Sequence, residues 1–162
     1  MATEKTAEKR SPADIARRNA QKGAEFERDI MKRFNVLANA RAEALRIPVP
    51  KLPFFHRNRN QAGYAGADIN NPFGLQIECK NCAKIETDKW WKQVCAASRQ
   101  YGGIPVVVWK VQGTRRIQAM LPGALYGGPI NNGFLVWSPV IIDETTLLEW
   151  VTHRINVKFQ QK

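Results

Sequence analysis

Cysteine is scarce: Cys79, Cys82 and Cys95 are the only three in 162 residues. Three is too few, and of the wrong parity, for a disulfide framework, so reduced thiols are expected. No apolar run approaches the roughly 20 residues that a membrane-crossing helix needs. No basic amphipathic helix of the membrane-surface kind stands out either. Met1 to Arg10 is charged and lacks the apolar segment of a secretory signal. There is no internal repeat, and the Gly/Pro/Asn-rich stretch Pro122 to Gly133 has no phosphate-loop pattern and reads as a plain connector. Acidic residues are in the minority, 14 against 25 basic, which leaves a formal net charge of +11. A soluble intracellular protein that meets a polyanion is expected, with nucleic acid favoured over membrane. The 44% hydrophobic content excludes a wholly disordered chain, and the length suits one domain with a real core.

Residues 1–10 read as a flexible arm, 11–157 as the folded domain and 158–162 as a loose basic tail. Ser11-Pro12-Ala13-Asp14 is a helix start, with Ser11 to cap, Pro12 in the first turn and Asp14 at the positive end of the dipole. The helical pattern runs to about Ala40, with a possible break at Gly23. Phe26, Ile30 and Leu37 form one apolar stripe, and Met31, Phe34 and Ala38 its neighbour. Ala44 to Val49 is a short strand candidate, and Lys51 to Gln61 a loop. Gly63 to Gly66 allows a turn or a close backbone approach. Ala67 to Asn70 and Leu75 to Lys80 pair as a hairpin across the turn Asn71-Pro72-Phe73-Gly74. Thr87 or Asp88 caps a helix that places Trp90, Val94, Ala97 and Tyr101 at core spacing and ends at Gly102-Gly103. Ile104 to Val111 is the continuous apolar strand of a sheet buried on both faces. Strands at Arg115 to Leu121 and Phe134 to Trp137 follow, then a helix capped by Asp143 and ending near Arg154. The order predicts one α/β domain with a mixed sheet.

The chemistry-bearing segment is Asp68, then, after nine intervening residues, Glu78-Cys79-Lys80. Strand alternation points Gln76, Glu78 and Lys80 to one face and Leu75, Ile77 and Cys79 to the other. Asp68 and Glu78 offer hard oxygen ligands for Mg²⁺, and Lys80 can orient or help deprotonate an attacking water. As bare spacing the same residues also suit a solvated strand face with a cross-strand ion pair. Glu27 is the second anomaly, a carboxylate at the head of an apolar stripe; on its own it reads first as a helix-edge residue paired with Arg28 or a neighbouring base. Cys79-x2-Cys82 with Cys95 and His56 or His153 is a poor zinc set, because Cys79 points away from the acids and Cys95 lies inside a helix. Trp90, Trp91 and Trp109 read as core or dimer interface, with base stacking as the other reading for Trp91.

The pattern Asp68…Glu78-x-Lys80 resembles the PD-(D/E)xK nuclease superfamily, and several blocks are similar to its archaeal-type Holliday-junction resolvases. Lys22-Gly23-Ala24-Glu25-Phe26-Glu27-Arg28-Asp29 resembles that family's opening helix, Ile77-Glu78-Cys79-Lys80 its Ile-Glu-x-Lys strand, and Tyr101 to Lys110 the turn and buried strand after its second helix. The resemblance covers about Gln21 to Val111. Ala67 stands where the superfamily often has proline, the Pro48 to Ala65 loop is long, and residues after Gln118 match nothing.

The resemblance implies a restriction-endonuclease-like α/β domain with a central mixed β-sheet flanked by helices. It implies a catalytic set of Glu27, Asp68, Glu78 and Lys80, with Mg²⁺ (Mn²⁺ able to substitute) held by Asp68, Glu78 and the Cys79 carbonyl. Branched DNA is the expected substrate, cut by a homodimer with no small-molecule cofactor and no membrane. Lys22, Arg28, Arg57, Arg59 and Lys84 are the expected DNA contacts, with Lys5, Lys9, Arg10, Arg17 and Arg18 as a possible gripping arm. The expected place is the cytoplasm at the nucleoid, or a host cytoplasm if a phage encodes the protein. Two alternatives stand beside this: the same chemistry on flaps, nicks or duplex, and a non-catalytic basic DNA-binding module.

Overall fold

The computed structural model describes residues 11–58, 67–124 and 137–161. The 1–10 arm, Arg59, Gly63 to Gly66, most of the Pro122 to Gly133 connector and the start of the Phe134 to Trp137 strand lie outside the described residues.

Helix α1 (Pro12–Ala44) begins as its capping residues dictate, with the Ser11 side chain accepting the Asp14 amide at 3.2 Å. It runs unbroken through Gly23. One interior glycine costs about 1 kcal/mol, and burial of Phe26, Ile30, Phe34, Ala38 and Ala42 along one face offsets that. The two predicted stripes merge into this face, with Met31 and Leu37 at its margin. The strand expected at Ala44 to Val49 is instead the end of the helix. Arg46 turns into the left-handed region (φ 55°), and the Ile47 amide reaches back to the Ala42 carbonyl at 2.8 Å, a Schellman-type closure.

The sheet contains β1 (His56–Arg57), β2 (Ile69–Asn70), β3 (Leu75–Cys82), β4 (Ile104–Val111), β5 (Ile117–Ala124) and β6 (Trp137–Asp143), in that spatial order. Every pairing is antiparallel except β3 with β4, which helix α2 (Thr87–Tyr101) connects; a parallel pair needs such a crossover. β1 lies inside the stretch expected to be loop, and Glu86, one residue before the expected cap, is the N-cap of α2. Gly103 (φ 93°) fixes the start of β4 against β3: a Cβ there would sit 3.0 Å from the Gly74 carbonyl oxygen, which accepts the Ile104 amide at 2.8 Å. Helix α3 (Glu144–Gln160) is capped by Asp143, which accepts the Thr146 amide at 2.8 Å. It continues past Arg154 through Lys158, so most of the expected tail is helix, held by the buried Phe159.

α1 and α3 cover one face of the sheet, packing on Ile69, Ile77, Cys79, Val106 and Val108. α2 covers the other, where Trp90 and Val94 meet Val107, Trp109 and Met120. Trp90 and Trp109 are therefore core, whereas Tyr101 is exposed. The architecture is the restriction-endonuclease-like α/β fold, a mixed six-stranded sheet flanked by helices. The alternation of β3 sends Cys79 into the α1/α3 core and Glu78 and Lys80 toward α2. No described helix is long and apolar enough to cross a membrane.

Candidate active site

The hairpin of β2 and β3 brings the first two acids together. Its turn is braced by Asn71, whose side-chain oxygen accepts the amides of Phe73 and Leu75 and whose Nδ2 donates to the Leu75 carbonyl at 2.9 Å. Ile69 pairs with Ile77. Just before it, the Asp68 amide donates to the Ile77 carbonyl at 2.9 Å, and the Asp68 carboxylate accepts the Cys79 amide at 2.7 Å. Asp68 thus brackets Glu78 from both sides. On its outer side Asn58 supports the same segment, with its amide on the Asp68 carbonyl and its side chain on the Ala67 carbonyl.

Glu78 is buried, yet it is the acceptor of two donors: Lys80 Nζ at 2.5 Å and Gln93 Nε2 at 2.9 Å, both on Oε1. Burial raises its carboxyl above the ordinary value and the charge of Asp68 raises it further, while Lys80 and Gln93 act in the opposite sense. Glu27 enters from α1. It too is buried, and burial followed by the Asp68 charge raises its carboxyl, opposed by Arg57. Arg57 Nε lies 2.8 Å from Glu27 Oε2, an ion pair whose charge and hydrogen bonding hold the Glu27 carboxyl down against its burial. The Cys79 thiol is pushed well up by burial and by the charges of Asp68, Glu27 and Glu78. Glu27 and Glu78 thus each feel the charge of Asp68, which lies between them electrostatically.

All four predicted catalytic positions therefore fall in one place, between the N-terminal half of α1, the hairpin and α2. Of the expected DNA contacts, Arg57 is part of the cluster, exposed Arg28 bears electrostatically on Glu27, and exposed Lys22 reaches Gln112 at 3.4 Å beside the end of β4. Exposed Lys84 lies in the β3–α2 connection, and Arg59 is outside the described residues. Arg17 and Arg18 lie on turns of α1 that bury nothing.

Gln93 carries no sequence signal, because a neutral amide on a helix flank is ordinary; only the depth of Glu78 gives it a role. Asn35 is similar: its amide bonds both the N–H and the carbonyl of Phe55, at 2.9 and 2.7 Å, and thereby seats β1 and Arg57. Among the described residues no three His, Cys, Asp or Glu side chains are spaced to enclose a metal. Two carboxylates and a backbone carbonyl remain as an oxygen donor set, which suits Mg²⁺, an ion usually held by one or two carboxylates together with substrate phosphate. The negative charge gathered around Asp68, which raises the carboxyls of both Glu27 and Glu78, fits a divalent cation as well. Cys82 and Cys95 take no part: Cys82 Sγ donates to the Lys110 carbonyl at 3.6 Å, and Cys95 lies on α2.

Residues 18–149 match the family model described as "Phage putative PDDEXK endonuclease", about four-fifths of the chain. The chain belongs to this PD-(D/E)xK endonuclease family. The match spans α1 through the first turns of α3, so β5 and β6, which resembled nothing from sequence, are part of the family's domain. Searches of curated proteins and of solved structures returned no match.

Proposed function

We propose that the protein is a Mg²⁺-dependent, structure-selective DNA endonuclease that resolves four-way junctions as a homodimer. The observation that supports the chemistry is the buried Glu78 carboxylate, flanked by Asp68 across the hairpin and by Lys80 on its own strand, with Glu27 facing them from α1. Bound at Asp68, Glu78 and the Cys79 carbonyl, Mg²⁺ (or Mn²⁺) would supply Lewis-acid polarisation of the scissile phosphate and a lowered pKa for water.

The chain's own residues do the rest. Lys80 exchanges its ion pair with Glu78 for the attacking water and the phosphate oxygens, holding the water in line with the leaving oxygen. Asp68 is kept in register by the Cys79 amide and keeps Glu78 company in a site too dry to carry both charges alone. Gln93 holds Glu78 in one rotamer. Glu27 accepts from water at the rim of the site, and Arg57 turns from Glu27 to a phosphate when the strand arrives. Hydrolysis breaks one P–O bond and forms another to the water oxygen, with the water's proton passing to a site base or to solvent.

Junction specificity and the dimer rest on the resemblance to resolvases, since a two-fold protein suits a two-fold substrate. The test is incubation with Mg²⁺ and an end-labelled immobile four-way junction, beside matched duplex and flap DNA. Paired symmetric cuts in the junction alone support the resolvase. Equal cutting of all three keeps the nuclease and discards the junction. Tight binding without cutting in Mg²⁺ or Mn²⁺ favours the binding module and overturns the site.

A further inference from the structure

At the opposite end of the sheet from Lys80, where β4 begins and β5 ends, a cleft of about 680 Å³ opens between α2 and α3. Its lining combines two aromatic and three basic side chains: Trp91 and Arg99 from α2, and Trp150, His153 and Arg154 from α3. Pro105 and Pro122 add apolar surface to it, and among the described residues no aspartate or glutamate lines it. Its volume lies in the range of sites that hold a single small organic ligand.

Each tryptophan is anchored at one edge and available at the other. Trp91 packs in part against the Trp90–Trp109 cluster and Trp150 in part against the main core. A half-anchored indole presents a rigid aromatic surface at little entropic cost. The cations are as yet uncommitted: among the described residues neither Arg99 nor Arg154 forms an ion pair, and Arg154 Nε is buried without a hydrogen-bond partner. Both guanidinium groups line the cleft, so an anion held there would meet their charge. By contrast, the comparably large cleft lined by Pro50, Leu52, Phe54 and Phe73 is walled mainly by proline and phenylalanine.

We infer that this cleft is a second DNA-contact site that holds one unpaired nucleotide of the strand, its base against Trp91 or Trp150 and its phosphate on Arg154 and Arg99. Aromatic faces with Arg are the sequence-tolerant means of gripping single strands. Glu78 pairs with Val107 and Lys80 with Trp109, so the cleft mouth at Ile104 lies three to five residues along β4 from the site, about 10 to 17 Å at ~3.3 Å per residue. Helix α2 stands between the two, with Trp91, Cys95 and Arg99 on its cleft side and Gln93 on Glu78, so a strand that reaches both passes around the helix. The inference rests on the nuclease reading and adds to it a preference for DNA with an unpaired stretch near the cut.

The test measures binding of a short fluorescein-labelled oligothymidylate in EDTA, where nothing is cut, with Mg²⁺-dependent cleavage of four-way junction, flap and duplex DNA read separately on the same preparations. Trp91→Ala is expected to weaken oligonucleotide binding by about 5- to 150-fold, Trp91→Phe to restore most of it, and Arg154→Gln to weaken it by about tenfold or more. An abasic oligonucleotide of equal length should lose sensitivity to Trp91→Ala and keep sensitivity to Arg154→Gln. Wild-type binding by both variants overturns the cleft. So does binding of dTMP or inorganic phosphate that is lost in Arg154→Gln yet leaves oligonucleotide binding intact, since the cleft would then serve free anions. Failure to cleave with this binding pattern intact overturns the nuclease reading alone.

Discussion

Gln93 donates from α2 to Oε1 of Glu78 at 2.9 Å, on the same oxygen that takes Lys80 Nζ. One carboxylate oxygen is thereby held from a helix and from its own strand, which leaves Glu78 no alternative rotamer without breaking a charge-assisted bond. Gln93→Ala is expected to slow cleavage by about tenfold, the equivalent of one hydrogen bond to a charged group, with DNA binding unchanged. Because Gln93 acts through Glu78, the Mg²⁺ concentration for half-maximal rate should rise as well. A titration of rate against Mg²⁺ separates this from a plain loss of stability.

Arg57 faces two demands, the Glu27 charge and an incoming phosphate. The guanidinium is half exposed, so Arg57→Ala should cost less than about 1 kcal/mol of stability by urea denaturation. The double change Arg57→Ala, Arg59→Ala should weaken DNA binding and flatten its salt dependence. Two free cations would remove about 1.8 from the log–log slope. Since Arg57 begins partly neutralised by Glu27, the expected change is nearer 1. An unchanged slope would remove β1 and its following loop from the DNA footprint.

Carboxylates crowded in a half-dry site repel one another, and a divalent cation relieves them. Mg²⁺ at about ten times its Kd stabilises by about 1.4 kcal/mol, or about 3 to 6 °C in Tm for a domain of this size. Thermal unfolding with and without Mg²⁺ should show that rise in the wild type and none in Asp68→Asn or Glu78→Gln.

The C-terminal end of α3 belongs to the core. Phe159 meets Phe54 and Phe73 edge-on at 5.6 Å between ring centroids, and Phe73 stacks on Phe55 at 5.1 Å. This group ties α3 to β1 and the hairpin turn, and hence to the segments that carry Arg57 and Asp68. Phe159→Ala should cost about 3 to 5 kcal/mol in denaturant unfolding. A cost near zero would return 158–162 to the status of a loose tail.

Much of this was legible from residues with local signals. Ser11 and Asp143 cap helices whatever lies beyond them, the Asn71–Gly74 turn sets the hairpin register, and the unbroken apolar run Ile104 to Val111 means a strand covered on both sides. Glu27 stood out because a carboxylate interrupts an apolar stripe. Where the reading failed, the cause was tertiary. Alternating apolar residues at Ala44 to Val49 mimic a strand but serve a helix closure. The two residues of β1 pair only because Asn35 seats Phe55. Phe159 pins a helix whose basic sequence resembles a tail. Gln93 was illegible because its role depends wholly on the depth at which Glu78 lies.

The most direct measurement is cleavage of an end-labelled DNA substrate by the wild type and by Asp68→Asn, each in Mg²⁺ and in EDTA, with binding read in parallel. The site described here predicts hydrolysis by the wild type in Mg²⁺ alone, and none by Asp68→Asn, with binding retained or strengthened as one negative charge leaves the phosphate path. Cutting by Asp68→Asn at the wild-type rate, or wild-type cutting that persists in EDTA, would contradict a metal-dependent centre at Asp68, Glu78 and Lys80.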